Sequence, residues 1–152
     1  MDQIELCRTE TQKHIDTVRR LIMVLVEQML DRAMDHDASK LKPPELDGFV
    51  INTPKLKNLT YGSPEYHAVM AEMKESIDHH YKENTHHPEH WEEGIKGMDL
   101  IDLLEMIADW KAATMRHTDG DILNSIEINQ KRFGYSNELK SILKNTIERY
   151  FK

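Results

Sequence analysis

His36 and Asp37 stand side by side in the run Asp35-His36-Asp37-Ala38-Ser39-Lys40-Leu41. A neutral imidazole nitrogen and a carboxylate placed together can serve one divalent cation, and the mixed N/O set suits Zn, Mn, Fe, Ni or Co. A lone His-Asp pair is a weak signal, because both residues are ordinary at protein surfaces. The rest of the chain strengthens it. His14 lies upstream, His79, His80, His86, His87 and His90 follow, and Asp109 comes later. Of the nine histidines, six fall between residues 67 and 90, the strongest compositional signal in the chain.

Helices must position these residues. Residues 3 to 34 predict one long helix, with Ile15, Val18, Leu21, Ile22, Leu25, Val26 and Met29 close to helical spacing and no Gly or Pro. His14 shares a stripe with Val18, Leu21 and Leu25, which points it inward. Residues 35–62 are less regular: Pro43-Pro44-Glu45 opens a short helix or turn, while Thr53-Pro54 and Tyr61-Gly62-Ser63-Pro64 mark loops. This segment reads equally well as a lid or as a plain connection. Ser63, Pro64 and Glu65 then start a helix over 64–81. Its apolar stripe of Tyr66, Met70, Met73 and Ile77 reaches His80 at the next step, so His80 rather than His79 faces inward, and His67 lies off the stripe. Residues 82–97 form a histidine-rich loop.

Residues 98–117 predict a helix with two faces. Leu100, Leu103, Leu104, Ile107 and Ala108 pack, while Asp102, Glu105, Asp109 and Arg116 form a polar stripe. Asp109 sits among Ala108, Trp110, Ala112 and Ala113, a setting in which a carboxylate calls for a cation. Asp119-Gly120-Asp121 introduces a helix to about 132, stopped by Gly134. Ser136 caps a last helix with Leu139, Ile142, Leu143, Ile147 and Phe151 inward. No segment has strand periodicity, so the fold expected is all-α, one domain over 1–152 of about six helices.

The 152 residues are 39% hydrophobic and 31% charged with a formal net charge of −7, which predicts a soluble cytoplasmic protein. No apolar run approaches the roughly 18 residues of a membrane span, and the N-terminus lacks a signal core. The single Cys7 cannot form an internal disulfide and fits a reducing compartment. The acidic balance and the lack of a basic stripe argue against binding bulk nucleic acid. A small anionic substrate remains compatible, because a metal supplies local positive charge.

The order His14, His36-Asp37, histidine cluster, Asp109 resembles the His…His-Asp…Asp pattern of the HD-domain superfamily of all-α metal-dependent phosphohydrolases. The run Glu105-Met106-Ile107-Ala108-Asp109-Trp110-Lys111-Ala112 is similar to the helix that carries the last aspartate there. His80 with His86-His87 resembles the added histidines of binuclear members. His87-Pro88-Glu89 is loosely similar to the His-His-Glu run of the cyclic-dinucleotide branch, without its Gly-Tyr-Pro signature. Across nearly the whole chain, His36-Asp37-Ala38-Ser39-Lys40 and Asn84-Thr85-His86-His87-Pro88-Glu89 also resemble an uncharacterised HD-like domain family of phages and bacteria.

The resemblance implies that His14, His36, Asp37 and Asp109 hold one ion. A second would be held by Asp37 as a bridge, His80, and His86 or His87. A metal-activated water would then attack the phosphorus of a nucleotide or other small phosphoester. Lys40 would hold a phosphate oxygen, with Arg116 a weaker candidate for that role and Glu89 for proton transfer. Two other expectations stand beside this one: a di-iron oxygenase of the same superfamily, and a non-catalytic helical interaction protein with a structural metal. The long first helix would also suit pairing with a copy of itself as a homodimer.

Overall fold

The computed structural model describes residues 2–57, 59, 63–116 and 120–151. Tyr61, Gly62 and Asp119, expected in loops, lie outside the described residues. Every regular element among the described residues is helical: α1 (Gln3–Asp35), α2 (Glu45–Leu56), α3 (Pro64–Glu72), α4 (Lys74–Glu83), α5 (Leu100–Thr114), α6 (Ile122–Phe133) and α7 (Asn137–Tyr150). Short 3-10 turns cover Ala38–Leu41, Pro88–His90 and Gly94–Gly97. The all-α expectation holds, with seven α-helices where about six were expected. No helix among the described residues is long and apolar enough to cross a membrane.

The chain divides into two compact units, Met1–Asp35 and His36–Lys152. The first is α1 alone. It forms as its periodicity predicts, but none of its residues is buried. His14, expected to point inward, is exposed, as are Val18, Leu21 and Leu25 on the same stripe. The segment 21–30 is apolar around most of the helix circumference. Periodicity there marks no single inner face.

The second unit holds the core. Met106 and Ile107 of α5, Ile122 and Ile126 of α6, Tyr135, and Leu143 and Ile147 of α7 form one buried cluster, with Leu103, Trp110, Phe133 and Leu139 against it. The Tyr135 hydroxyl donates to the Ile126 carbonyl at 2.6 Å, which gives the phenol a partner inside the core. Local signals start and stop the helices. Ser63, Asp99, Asp121 and Ser136 each accept backbone N–H groups at an N-terminus. Gly134 ends α6 at φ 67, where an L side chain would be strained.

Three details differ from the expectations. Pro54 does not end its helix: α2 runs on to Leu56, because the bond a proline removes falls in the last turn. The helix over 64–81 is broken at Met73, where three carbonyls converge on one N–H, yet the two halves keep the inward phase from Val69 through Met73 to His80. On α5 the faces are partly exchanged. Leu100 and Leu104 are exposed while Asp102 and Glu105 are buried, and on α7 Ile142 is exposed. Asp102 is held inward by the capping box with Asp99 and by the Thr85 hydroxyl, which donates to Asp102 at 2.5 Å.

Candidate metal centre

Asp37 lies in the left-handed region, at φ 56 and ψ 15, just before the 3-10 turn Ala38–Leu41. Asp tolerates this conformation better than most residues, but a non-glycine held there is a strained position worth a functional question. Its carboxylate faces histidines on both sides. Oδ1 lies 3.3 Å from His80 Nε2 and 3.6 Å from His86 Nε2, while Oδ2 lies 3.5 Å from His36 Nε2. His80 Nε2 is in turn 2.8 Å from His87 Nε2, and His36 Nε2 is 3.7 Å from Asp109 Oδ1.

Two groups of ligand atoms that share Asp37 result, each compact enough to surround one ion: Asp37, His80, His86 and His87, and His36, Asp37 and Asp109; a third group, His36, His86 and Glu105, is already joined by hydrogen bonds. The first group is closed, with the His80 and His86 side chains 4% and 2% exposed. The second is open, with His36 and Asp109 at 32% and 24%. A closed nitrogen-rich set beside an open oxygen-rich one resembles a tightly held position next to an exchangeable one.

Two buried glutamates face the other edges of the imidazoles. Glu45, at the start of α2 and fully buried, accepts from His80 Nδ1 at 2.9 Å, from His79 Nδ1 at 2.8 Å and from the Ser39 hydroxyl at 3.0 Å. Glu105, on α5, accepts from His36 Nδ1 at 2.8 Å and from His86 Nδ1 at 3.0 Å. The Asn84 amide donates to Ser39 Oγ and to the His80 carbonyl, both at 2.8 Å, and ties the end of α4 to the turn after Asp37.

These contacts determine the tautomers. A neutral imidazole that donates from Nδ1 carries its lone pair on Nε2. His36, His80 and His86 therefore turn lone pairs toward the Asp37 carboxylate, acceptor facing acceptor. His86 Nε2 and Asp37 Oδ1 are buried without a hydrogen-bond partner. Buried acceptors gathered at one point are costly unless a cation joins them. The donor set fits a divalent transition metal, with carboxylate-bound histidines of the kind that orient metal ligands.

The electrostatics agree. Burial pushes the His80 imidazole below its ordinary pKa, and the Lys40 charge adds to this against Asp37 and Glu45. His87 is pushed down to about 2 by burial and by the neighbouring His86 and His80. Both rings are thus held neutral, the form that binds metal. Burial raises the Asp37 carboxyl, but the Lys40 hydrogen bond and charge, with His36 and His80, bring it below the ordinary value. Lys40 Nζ donates to Asp37 Oδ2 at 2.5 Å.

Of the residues expected from the sequence, His36, Asp37, His80, His86, His87 and Asp109 are brought together, and Lys40 lies beside them. His14 lies on α1, in the other unit. Glu89 pairs with Arg132 at 2.5 Å instead of facing the centre, and Arg116 is exposed just beyond α5. His90 donates from Nδ1 to the Tyr81 carbonyl at 3.0 Å. Glu45, Glu105, Ser39 and Asn84 were not anticipated as supports. A sequence signal existed only for Glu105, which precedes Asp109 by one helical turn on the same stripe.

Fold and site together define a class: an all-α protein whose second unit gathers histidines and carboxylates that could hold a metal ion. The family follows from comparison. The chain belongs to a family of unknown function, DUF5662, whose model matches residues 3–149. No curated protein and no solved structure matches the chain.

Proposed function

We propose that the protein is a metal-dependent phosphohydrolase acting on a nucleotide or other small phosphoester. The observation that carries this reading is Asp37, one carboxylate shared by a closed group of three histidines and an open group completed by His36 and Asp109. Ions held there would supply Lewis acidity, activating a water and neutralising charge on a phosphoryl oxygen.

The chain's own residues do the rest. Asp37 would be a ligand in either group. Glu45 and Glu105 accept from Nδ1 of His80, His36 and His86 and so turn the Nε2 atoms of these rings toward Asp37. Lys40, beside the open position, offers an ammonium to a phosphate oxygen as a point charge. His80 and His86 are buried while His36 and Asp109 are partly exposed, so substrate would approach over His36 and Asp109. A net charge of −7 would repel an anion, and local cations answer that repulsion. The order His14, His36-Asp37, histidine cluster, Asp109, which resembles the pattern of the HD phosphohydrolases, supports the same reading.

The test combines metal content with turnover. Untagged protein is reconstituted with Mn, Co, Ni or Zn, and phosphate release is measured over nucleotides and simple mono- and diesters. The expected result is turnover with at least one metal, with bound metal and activity both lost in Asp37→Asn. Retained metal with no release from any ester, or oxygen consumption by an iron-loaded form, would overturn the hydrolase reading.

A further inference from the structure

We infer that Glu105 is a positioning residue that couples the two ion positions, so that neither is tuned independently of the other. The inference rests on the metal-centre reading and goes beyond it. One oxygen, Glu105 Oε1, lies 2.8 Å from His36 Nδ1 and 3.0 Å from His86 Nδ1. These are hydrogen-bond distances, and the carboxylate can only accept. Of the two groups that share Asp37, His36 belongs to the open one and His86 to the closed one, and both rings also form a third group with Glu105 itself. A single atom therefore fixes the tautomer and ring direction of one ligand in each. The two rings lie 4.7 Å apart between centroids, tilted by 40°, so a shift of one is felt by the other.

Glu45 provides the contrast. It is buried too and also receives two imidazoles, but only one of them, His80, belongs to a ligand group; His79 belongs to none. Glu45 therefore serves the closed position alone. The two glutamates differ in where they act, although both are buried acids in one site. Glu105 also lies one turn before Asp109 on α5, so any rotation of that helix moves the open position's carboxylate together with the acceptor of both histidines.

The experiment is a Co(II) titration of the full chain, read by visible absorption and by ions bound per chain, on the unaltered protein, Glu105→Gln and Glu45→Gln. Circular dichroism of the metal-free forms checks folding. If Glu105→Gln does not fold, Glu105→Asp replaces it, keeping the charge but withdrawing it by one methylene. The expected result is two ions bound by the unaltered chain in two steps. The Glu105 variant should weaken both steps by about 10–100-fold, and Glu45→Gln only the tighter step. Two ions in the unaltered chain with only one step weakened by the Glu105 variant would overturn the coupling and leave the metal centre standing. Saturation of the unaltered chain at one ion would do the same. No cobalt bound by the unaltered chain would overturn both.

Discussion

At the residue scale, Lys40 and Asp37 are partners whose interests diverge once a cation enters. The ammonium donates to Asp37 Oδ2, the oxygen that also faces His36. A divalent ion in the open group would meet that ammonium as a like charge. At an effective dielectric of about 20, two unit charges some 4 Å apart interact by roughly 4 kcal/mol, and solvent at this half-exposed position reduces it to about 1–2 kcal/mol. Lys40→Met is therefore expected to tighten metal binding by about tenfold. The same change removes the only side-chain ammonium hydrogen-bonded to Asp37 among the described residues. Turnover of a phosphoester should fall by about tenfold or more at saturating metal. Calorimetric metal titration and initial rates on the same preparations read the two effects separately. A variant that binds metal more weakly would show that Lys40 supports the site instead of competing for it.

At the element scale, the closed group depends on how near α2 comes to α4. Gly48 is the point of contact: a Cβ built there would lie 2.1 Å from Ser76 Oγ and 2.9 Å from Ser76 Cβ. Ser76 is buried, and its hydroxyl donates to the Pro44 carbonyl at 3.2 Å. Gly48→Ala gains about 1 kcal/mol of helix propensity but forces apart two packed backbones, a strain of about 1–3 kcal/mol. The strain wins, because the obstructing atoms include a Cβ, which cannot swing aside. The expected outcome is a lower urea midpoint and weaker metal binding, since α2 carries Glu45, which sets the direction of His80. Gly48→Ala combined with Ser76→Gly clears the obstruction and should recover much of both. An unchanged or raised midpoint in the single variant would show that the helices have room to part.

At the scale of the whole molecule, what was legible in the sequence was what short-range periodicity encodes. The all-α class, the caps at Ser63 and Ser136, and the inward turn of His80 over His79 all follow from steps of three and four residues. The gathering of His36, Asp37, His80, His86, His87 and Asp109 was legible as a chain order of ligand types. Glu45 and Glu105 were not read as supports, because an acid on a helix faces solvent by default and the partners that turn these two inward are distant in sequence. His36 and Glu105 are 69 residues apart. On α1, an apolar stripe says that a face favours burial and does not say which surface covers it, so the inward placement of His14 did not follow. That same distance in sequence yields the last prediction. The ligands come from the turn after α1, from α4, from the loop that follows it and from α5, and an unfolded chain cannot gather them. Metal should therefore bind the folded state alone. At about 1,000 times its dissociation constant, an ion would stabilise the fold by about 4 kcal/mol. For a chain of this size that raises the melting temperature by about 10–15 °C. Melts of loaded and chelated protein at fixed pH should differ by that amount, and Asp37→Asn should erase most of the difference. Coincident melts at saturating metal would mean that the histidines and carboxylates hold the fold without an ion.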